Sequence, residues 1–200
     1  NVLNNKEIAD AIHALIDRGG LILGICNGFQ ALVKSGLLPY GRLGQVTKDS
    51  PTLFRNDINR HISQMVTTRI STTNSPWLSG FAVGDLHTIA VSHGEGKFVA
   101  EAATLAEIES RNLVAVRYAN ADGSFATEFP ANPNGSLNSI AGICDTTGRV
   151  FGLMPHPEAF LSPYNAPDWT RQMAEEGKLP ENGDGVVFFR NAAEYLEKNF

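Results

Sequence analysis

The chain has 200 residues, of which 42% are hydrophobic, and a formal charge of −5. This length and composition suit one globular domain with a real core and exclude a disordered or fibrous protein. The sixteen Lys and Arg are scattered rather than gathered on one face, which argues against a nucleic-acid partner. Apolar runs are too short to span a bilayer and the first residues lack a signal-peptide pattern, so we expect a cytoplasmic protein without membrane contact.

The first part of the chain predicts a helix, a buried strand and a second helix. Asn5 can cap a helix whose apolar residues recur at helical spacing up to the glycine pair at 19–20. Residues 21–25 form a short unbroken apolar run, which is typical of a parallel strand covered on both faces. A helix is expected over 28–35 and a loop over 39–60. This order indicates an α/β layer fold.

The later part of the chain predicts a mixed sheet. A polar surface excursion is expected over 162–184 and a final helix over 186–198. Because an α/β sheet normally opens with a strand and the first element here is a helix, we expect the chain to begin inside its domain. Strands are predicted at 65–70, 88–91, 113–118, 140–144 and 150–153, and the last two should form a hairpin.

Cys26 lies between Gly24 and Gly28, where the buried strand meets the second helix. This is the thiol version of a nucleophile elbow, in which small neighbours allow a sharp, strained turn. The helix that follows points its N-terminus at the sulfur, which favours thiolate and offers N–H groups to an oxyanion. An isolated cysteine is more often an inert core residue. The flanking glycines favour the nucleophile, and Cys144, which lacks them, is interpreted as structural.

A base and its orienting group are predicted in the Pro-His-Pro-Glu segment at 155–158. Pro157 holds His156 in an extended conformation, and residues two apart in extended chain point the same way. His156 and Glu158 should therefore lie side by side, as required for a carboxylate that fixes an imidazole tautomer. Alone, this histidine could equally well belong to a simple turn. A third segment, 92–98, alternates glycines with polar residues and suggests either backbone close to a ligand or a plain turn.

Four motifs resemble those of class I glutamine amidotransferases, and more narrowly the glutaminase domain of phosphoribosylformylglycinamidine synthase in its large multi-domain form. The resemblance covers nearly the whole chain and implies a flavodoxin-like three-layer α/β domain with a mixed sheet. The motifs are Gly-Ile-Cys-Asn-Gly-Phe-Gln at 24–30, Ser-His-Gly-Glu-Gly-Lys-Phe at 92–98, Asn-Pro-Asn-Gly-Ser at 132–136 and Gly-Leu-Met-Pro-His-Pro-Glu at 152–158.

The resemblance implies hydrolysis of glutamine to glutamate and ammonia through a Cys26 thioester, with His156 and Glu158 completing the catalytic set. It also implies that Gln30 and His93 line the glutamine pocket and that the backbone N–H of Asn27 is one oxyanion donor. No cofactor is expected in this domain. Ammonia would pass to a synthetase domain of the same enzyme, which binds ATP and magnesium and makes formylglycinamidine ribonucleotide in purine biosynthesis.

The chain departs from the family pattern in two places. Ala159 stands where the family usually has arginine. The family's first strands and the loop with the second oxyanion donor are not found, so residues 1–200 are interpreted as an N-terminally incomplete glutaminase domain with little activity alone. Two alternatives stay open: another thiol hydrolase or amidotransferase on the same fold, and a catalytically silent docking fragment.

Overall fold

A computed structural model describes residues 5–200, which form a six-stranded sheet, a separate pair of strands and six α-helices. The helices are α1 Lys6–Asp17, α2 Asn27–Ser35, α3 Leu37–Tyr40, α4 Ala102–Ser110, α5 Trp169–Glu176 and α6 Val186–Asn199. The strands are β1 Ile22–Ile25, β2 Thr52–Phe54, β3 Ile62–Ile70, β4 Leu86–His93, β5 Lys97–Val99, β6 Val114–Ala119, β7 Ile140–Cys144 and β8 Val150–Leu153.

The large sheet is mixed, as predicted. Its strand order is β1-β8-β7-β6-β3-β4. β1 and β8 are parallel, and the four other neighbouring pairs are antiparallel. The predicted hairpin is confirmed, since β7 and β8 pair with Gly142 opposite Leu153. The small sheet pairs β2 with β5 and lies beside the segment that precedes β3.

Two hydrophobic cores cover the two faces of the large sheet. Successive residues of β7 alternate between them, since Ile143 belongs to one core and Cys144 to the other. Helices α1, α2 and α4 close the first core, and α6 closes the second through Phe188 and Ala192. Because side chains in a strand point to opposite faces, these cores lie on opposite sides of the sheet. The expected three-layer α/β architecture is confirmed.

The predicted strand at 21–25 exists as β1, but its burial differs from expectation. Three of its four residues are only half-buried, and Gly24 alone is fully buried. Within the described residues, β1 pairs with a single neighbour, β8, at the edge of the sheet. A strand with one neighbour leaves its outer side open, so the apolar run reflects coverage by α2 and α6 rather than burial on all sides.

Helix α1 begins where the sequence predicts. Its N-cap is Asn5, whose side-chain oxygen accepts hydrogen bonds from the backbone N–H of Glu7 and Ile8 at 3.0 and 3.5 Å. These bonds satisfy donors that would otherwise have no partner in the first turn. Only Ile16 on this helix is fully buried, so one turn near its C-terminus fixes it to the sheet.

Elements β2 and α5 lie where the sequence predicts loop or excursion, and α4 lies where no element is predicted. β2 interrupts the expected loop over 39–60, α4 follows β5, and α5 falls inside the polar excursion over 162–184. α4 has no distinct apolar face, whereas α5 has Trp169 and Met173 one turn apart in a segment that is otherwise rich in polar residues. β2 has three residues, which is too short for an alternating pattern.

The helices of the described chain are short. The longest, α6, has 14 residues. Over residues 5–200, none is long and apolar enough to cross a membrane. In the same stretch, no group of three or more His, Cys, Asp and Glu side chains is arranged to hold a metal ion.

Candidate active site

Cys26 occupies the turn between β1 and α2 with φ 51° and ψ −104°. A positive φ is uncommon for a residue with a side chain and marks local strain. A Cβ at Gly24 would lie 2.8 Å from the backbone carbonyl group of Gly28 and 2.5 Å from Leu32 Cδ1. A Cβ at Gly28 would meet nothing within 4 Å. The first glycine is therefore required for packing, whereas the second leaves open space beside the turn.

This difference gives a test of the turn. Gly24→Ala should destabilise the protein by about 1–3 kcal/mol, because the added methyl overlaps backbone as well as a side chain. Gly28→Ala is the matched control and should keep or slightly raise stability, because alanine favours helix by roughly 1 kcal/mol over glycine. Urea unfolding of both variants measures the two changes. Equal stability of the two would contradict the packing described for Gly24.

The Cys26 thiol is half-buried and donates to the backbone carbonyl of Ser92 on β4, with Sγ and oxygen 3.6 Å apart. Asn27 is the first residue of α2, so its N–H has no acceptor within the helix and lies next to the sulfur along the chain. Cys144 differs in each respect. It is 1% exposed, and burial raises the pKa of its thiol to about 12. Of the two cysteines, Cys26 alone lies in a setting that supports nucleophilic chemistry.

His156 follows β8 and is held from both sides. Its backbone N–H donates to the carbonyl of Ala90 on β4 at 2.9 Å, and its Nδ1 lies 2.6 Å from Glu158 Oε1. The predicted pairing of the two side chains is present, but its predicted cause is wrong. Pro157–Ala159 form a 3₁₀ turn with His156 as its N-cap, so the contact arises from a tight turn rather than extended chain.

Two neighbouring side chains favour the protonated form of His156. Interaction with the Cys26 side chain, followed by that with Glu158, raises the pKa of His156 to about 9 against the opposing effect of burial. Because Glu158 engages Nδ1, Nε2 is the nitrogen left for the thiol. Nε2 is buried and has no hydrogen-bond partner among residues 5–200, since the thiol donates to Ser92 instead. Rotation of the thiol would close this contact and complete a Cys-His-Glu chain.

The loop after β4 holds the other residues that the sequence singled out. Gln30 on α2 donates from Nε2 to the carbonyl of Glu95 at 2.5 Å. His93 is 3% exposed, and burial lowers the pKa of its imidazole to about 4, so the ring is neutral. A Cβ at Gly96 would lie 2.5 Å from this ring. His93 therefore packs beneath the loop, while Gln30 contacts the loop backbone from the helix.

Asn56 is a residue of this region that sequence reasoning missed. It is 2% exposed and hydrogen-bonds both His93 and Gly96. A lone asparagine in a segment rich in Gly, Asn and Asp has the composition of an ordinary turn. No spacing rule links it to residues about forty positions later.

A strained cysteine between strand and helix, facing a histidine that a carboxylate orients, defines a thiol-dependent acyl-transfer site on an α/β sheet. Comparison with known proteins agrees with this class. The family described as the CobB/CobQ-like glutamine amidotransferase domain matches residues 1–196, and the chain belongs to this family.

Several curated relatives of the chain share a name. The chain is 41% identical over 153 residues to phosphoribosylformylglycinamidine synthase subunit PurQ of Koribacter versatilis and 40% identical over 158 residues to that of Gloeobacter violaceus. These alignments cover 76% and 79% of the chain, but 61% and 62% of the relatives. The chain thus spans about three fifths of the length of the curated relatives that it matches.

A solved structure, that of PurLQS from Thermotoga maritima, is similar at 26% identity with a TM-score of 0.67. The match covers 98% of the chain and 71% of that chain. The relatives are named as a subunit, whereas the motifs suggested a domain of a large multi-domain form. The amidotransferase family assignment is therefore confirmed, and the large form is not what these names describe.

Proposed function

We propose that the chain is the glutaminase subunit of a phosphoribosylformylglycinamidine synthase and hydrolyses glutamine to glutamate and ammonia. The observation that most supports this function is the arrangement of Cys26, His156 and Glu158. His156 Nδ1 lies 2.6 Å from Glu158 Oε1, which leaves His156 Nε2 for the thiol. The description of the family as a glutamine amidotransferase domain supports glutamine as the amide substrate, and the names of the PurQ relatives support a separate subunit as the form.

In the first half of the reaction, Cys26 and His156 act as a thiolate-imidazolium pair, with the thiol proton held on Nε2, and the thiolate attacks the side-chain amide carbon of glutamine. Charge develops on the amide oxygen, next to the N-terminus of α2, where the N–H of Asn27 donates to it. The C–N bond then breaks. His156 gives its proton to the departing nitrogen, and ammonia leaves a γ-glutamyl thioester on Cys26.

In the second half, His156 is neutral and removes a proton from water as the oxygen attacks the thioester carbon. A second oxyanion forms at the same N–H and collapses to release glutamate. The thiolate of Cys26 departs and the proton on His156 restores the starting pair. Glu158 keeps Nε2 directed at the reacting atoms through both halves, because it fixes the tautomer through Nδ1.

The ammonia is consumed by a synthetase partner that converts formylglycinamide ribonucleotide to its amidine. We place ATP and magnesium with that partner. The solved neighbour bears the name PurLQS, which supports an assembly of several chains. Residues 1–200 then belong to the glutaminase part of that assembly in the cytoplasm.

The test of this proposal is covalent capture by a diazoketone analogue of glutamine. Cys26 should be labelled selectively, and an excess of glutamine should protect it, because only Cys26 combines exposure with a histidine partner. Mass spectrometry of peptides after protease digestion locates the label. Cys144 is the internal control. Equal labelling of both thiols, or labelling that glutamine does not slow, would contradict a glutaminase site at Cys26.

A further inference from the structure

Asn56 uses every hydrogen-bonding position of its side chain to join two loops. Its Nδ2 donates to the carbonyls of Arg60 at 3.0 Å and His93 at 2.8 Å. Its Oδ1 accepts from the N–H of Gly96 at 3.1 Å and lies 3.2 Å from His93 Nδ1. The residue is 2% exposed, so these bonds form away from competing water. Asn56 thus fixes the loop before β3 against the loop after β4.

Two backbone carbonyls of the proposed site lie at the end of β4 and in the loop after it. The carbonyl of Ser92, on β4, accepts from the Cys26 thiol, and the carbonyl of Glu95, in the loop, accepts from Gln30. Asn56 bonds His93 and Gly96, on either side of the Glu95 position. A shift of the loop would therefore move the Glu95 carbonyl that meets Gln30, while pairing with β3 keeps Ser92 beside the nucleophile.

The two loops also enclose a cavity of about 240 Å³ next to the site. It presents groups of both charges, and Arg55 and Glu95 face each other at 4.0 Å. Free glutamine carries one positive and one negative group at its α-carbon, so a cavity with both charges suits that end of the substrate. The lining residues are Arg55, Asn59, Arg60, His61, Gly94 and Glu95.

We propose that Asn56 is a positioning residue that sets the glutamine-binding loops in register and so determines affinity for the substrate. This inference rests on the proposed glutaminase function. Asn56 is too deeply buried to contact substrate and acts through the carbonyl of His93 and the N–H of Gly96. Its effect falls on binding rather than on proton transfer, since none of its bonds reaches His156 or Glu158.

The test is Asn56→Asp in the full chain, with the diazoketone analogue of glutamine as probe. Aspartate keeps the shape and the acceptor oxygen but cannot donate to the two carbonyls. The half-saturating concentration of the analogue should rise roughly 3- to 30-fold, the effect of losing two buried donations. The maximal labelling rate and its pH profile should stay within about 2-fold, as should alkylation of Cys26 by iodoacetamide, because the Cys-His-Glu groups keep their places.

Asn191→Asp is the matched control. Asn191 lies on α6, is 3% exposed, and donates from Nδ2 to the carbonyl of Trp77. The same change there should leave the half-saturating concentration unaltered. A second variant, Asn56→Ala, removes both donations together with the acceptor oxygen and is used if aspartate prevents folding.

Each outcome decides a separate question. A raised half-saturating concentration in folded Asn56 variants, with Asn191→Asp unchanged, supports the positioning role. Unchanged affinity in a folded Asn56 variant, or an equal rise in Asn191→Asp, overturns it. If the analogue does not label Cys26 of the unaltered chain, or if glutamine does not slow that labelling, the glutaminase function itself fails and this inference with it.

Discussion

His156→Ala is expected to lower the rate of ammonia release from glutamine by about 10²- to 10⁴-fold, the usual cost of losing a general acid-base group. His156 is the nitrogen base next to Cys26, and its pKa of about 9 shows that it holds a proton readily beside the thiol. Without it, the thiol keeps its proton and the leaving nitrogen receives none. The assay measures ammonia release at saturating glutamine, with the synthetase partner present.

The matched variant is His61→Ala. His61 is exposed and lies 3.1 Å from the side-chain oxygen of Ser92, close to the site but outside the catalytic chain. At saturating glutamine, His61→Ala should lower the rate of ammonia release far less than His156→Ala does. If the two variants lost similar activity, or if His156→Ala kept most of its rate, the base would have to be another group.

Glu158→Gln should keep measurable activity but lose it at lower pH than the unaltered protein. Turnover needs the protonated imidazole beside the thiolate, so activity falls as pH rises through the pKa of His156, about 9. The Glu158 carboxylate is one of the causes that raise this pKa. Glutamine at 158 removes the charge, and the pKa moves back toward the ordinary imidazole value of about 6.5.

The measurable consequence is a shift of the alkaline limb of the pH-rate profile toward neutrality. The variant should lose more of its activity between pH 6 and pH 9 than the unaltered protein does, because a lower pKa leaves a smaller protonated fraction at each pH, although the Cys26 side chain still raises the pKa. Profiles of both proteins from pH 6 to about 10 give the comparison. An alkaline limb that stayed in place would show that Glu158 does not set the protonation of His156.

The nucleophile elbow at Cys26 could be predicted from the sequence because its signal is local. Three residues at 24, 26 and 28 specify a strained turn, and the structure explains the first glycine by the 2.8 Å approach of the Gly28 backbone to its missing Cβ. The β7–β8 hairpin before His156 could also be predicted, since its two apolar runs and the turn between them are contiguous in the chain. Local patterns of this kind need no knowledge of the rest of the chain.

Features that depend on distant partners were not predictable. The loop positions that Asn56 joins are separated by about forty residues, and its four bonds have no counterpart in spacing or composition. Helix α5 has eight residues, and Trp169 and Met173 are the two large apolar side chains that mark its face, a signal too short to stand out in the surrounding polar segment. The His156–Glu158 contact was predicted from the wrong backbone conformation, because a proline restricts its neighbour without selecting between extended chain and a 3₁₀ turn.

The parallel pairing of β1 with β8 places the nucleophile and its base at the same end of adjacent strands. The Cys26 N–H donates to the carbonyl of Leu153 at 2.9 Å, and the His156 N–H donates to Ala90 at 2.9 Å, so three strands join at this corner. Backbone amides linked in this way open together in native-state hydrogen exchange. The amides of Cys26 and His156 should therefore exchange with deuterium at similar free energies of opening, which means that fluctuations leave the distance between thiol and imidazole intact until the corner itself unfolds.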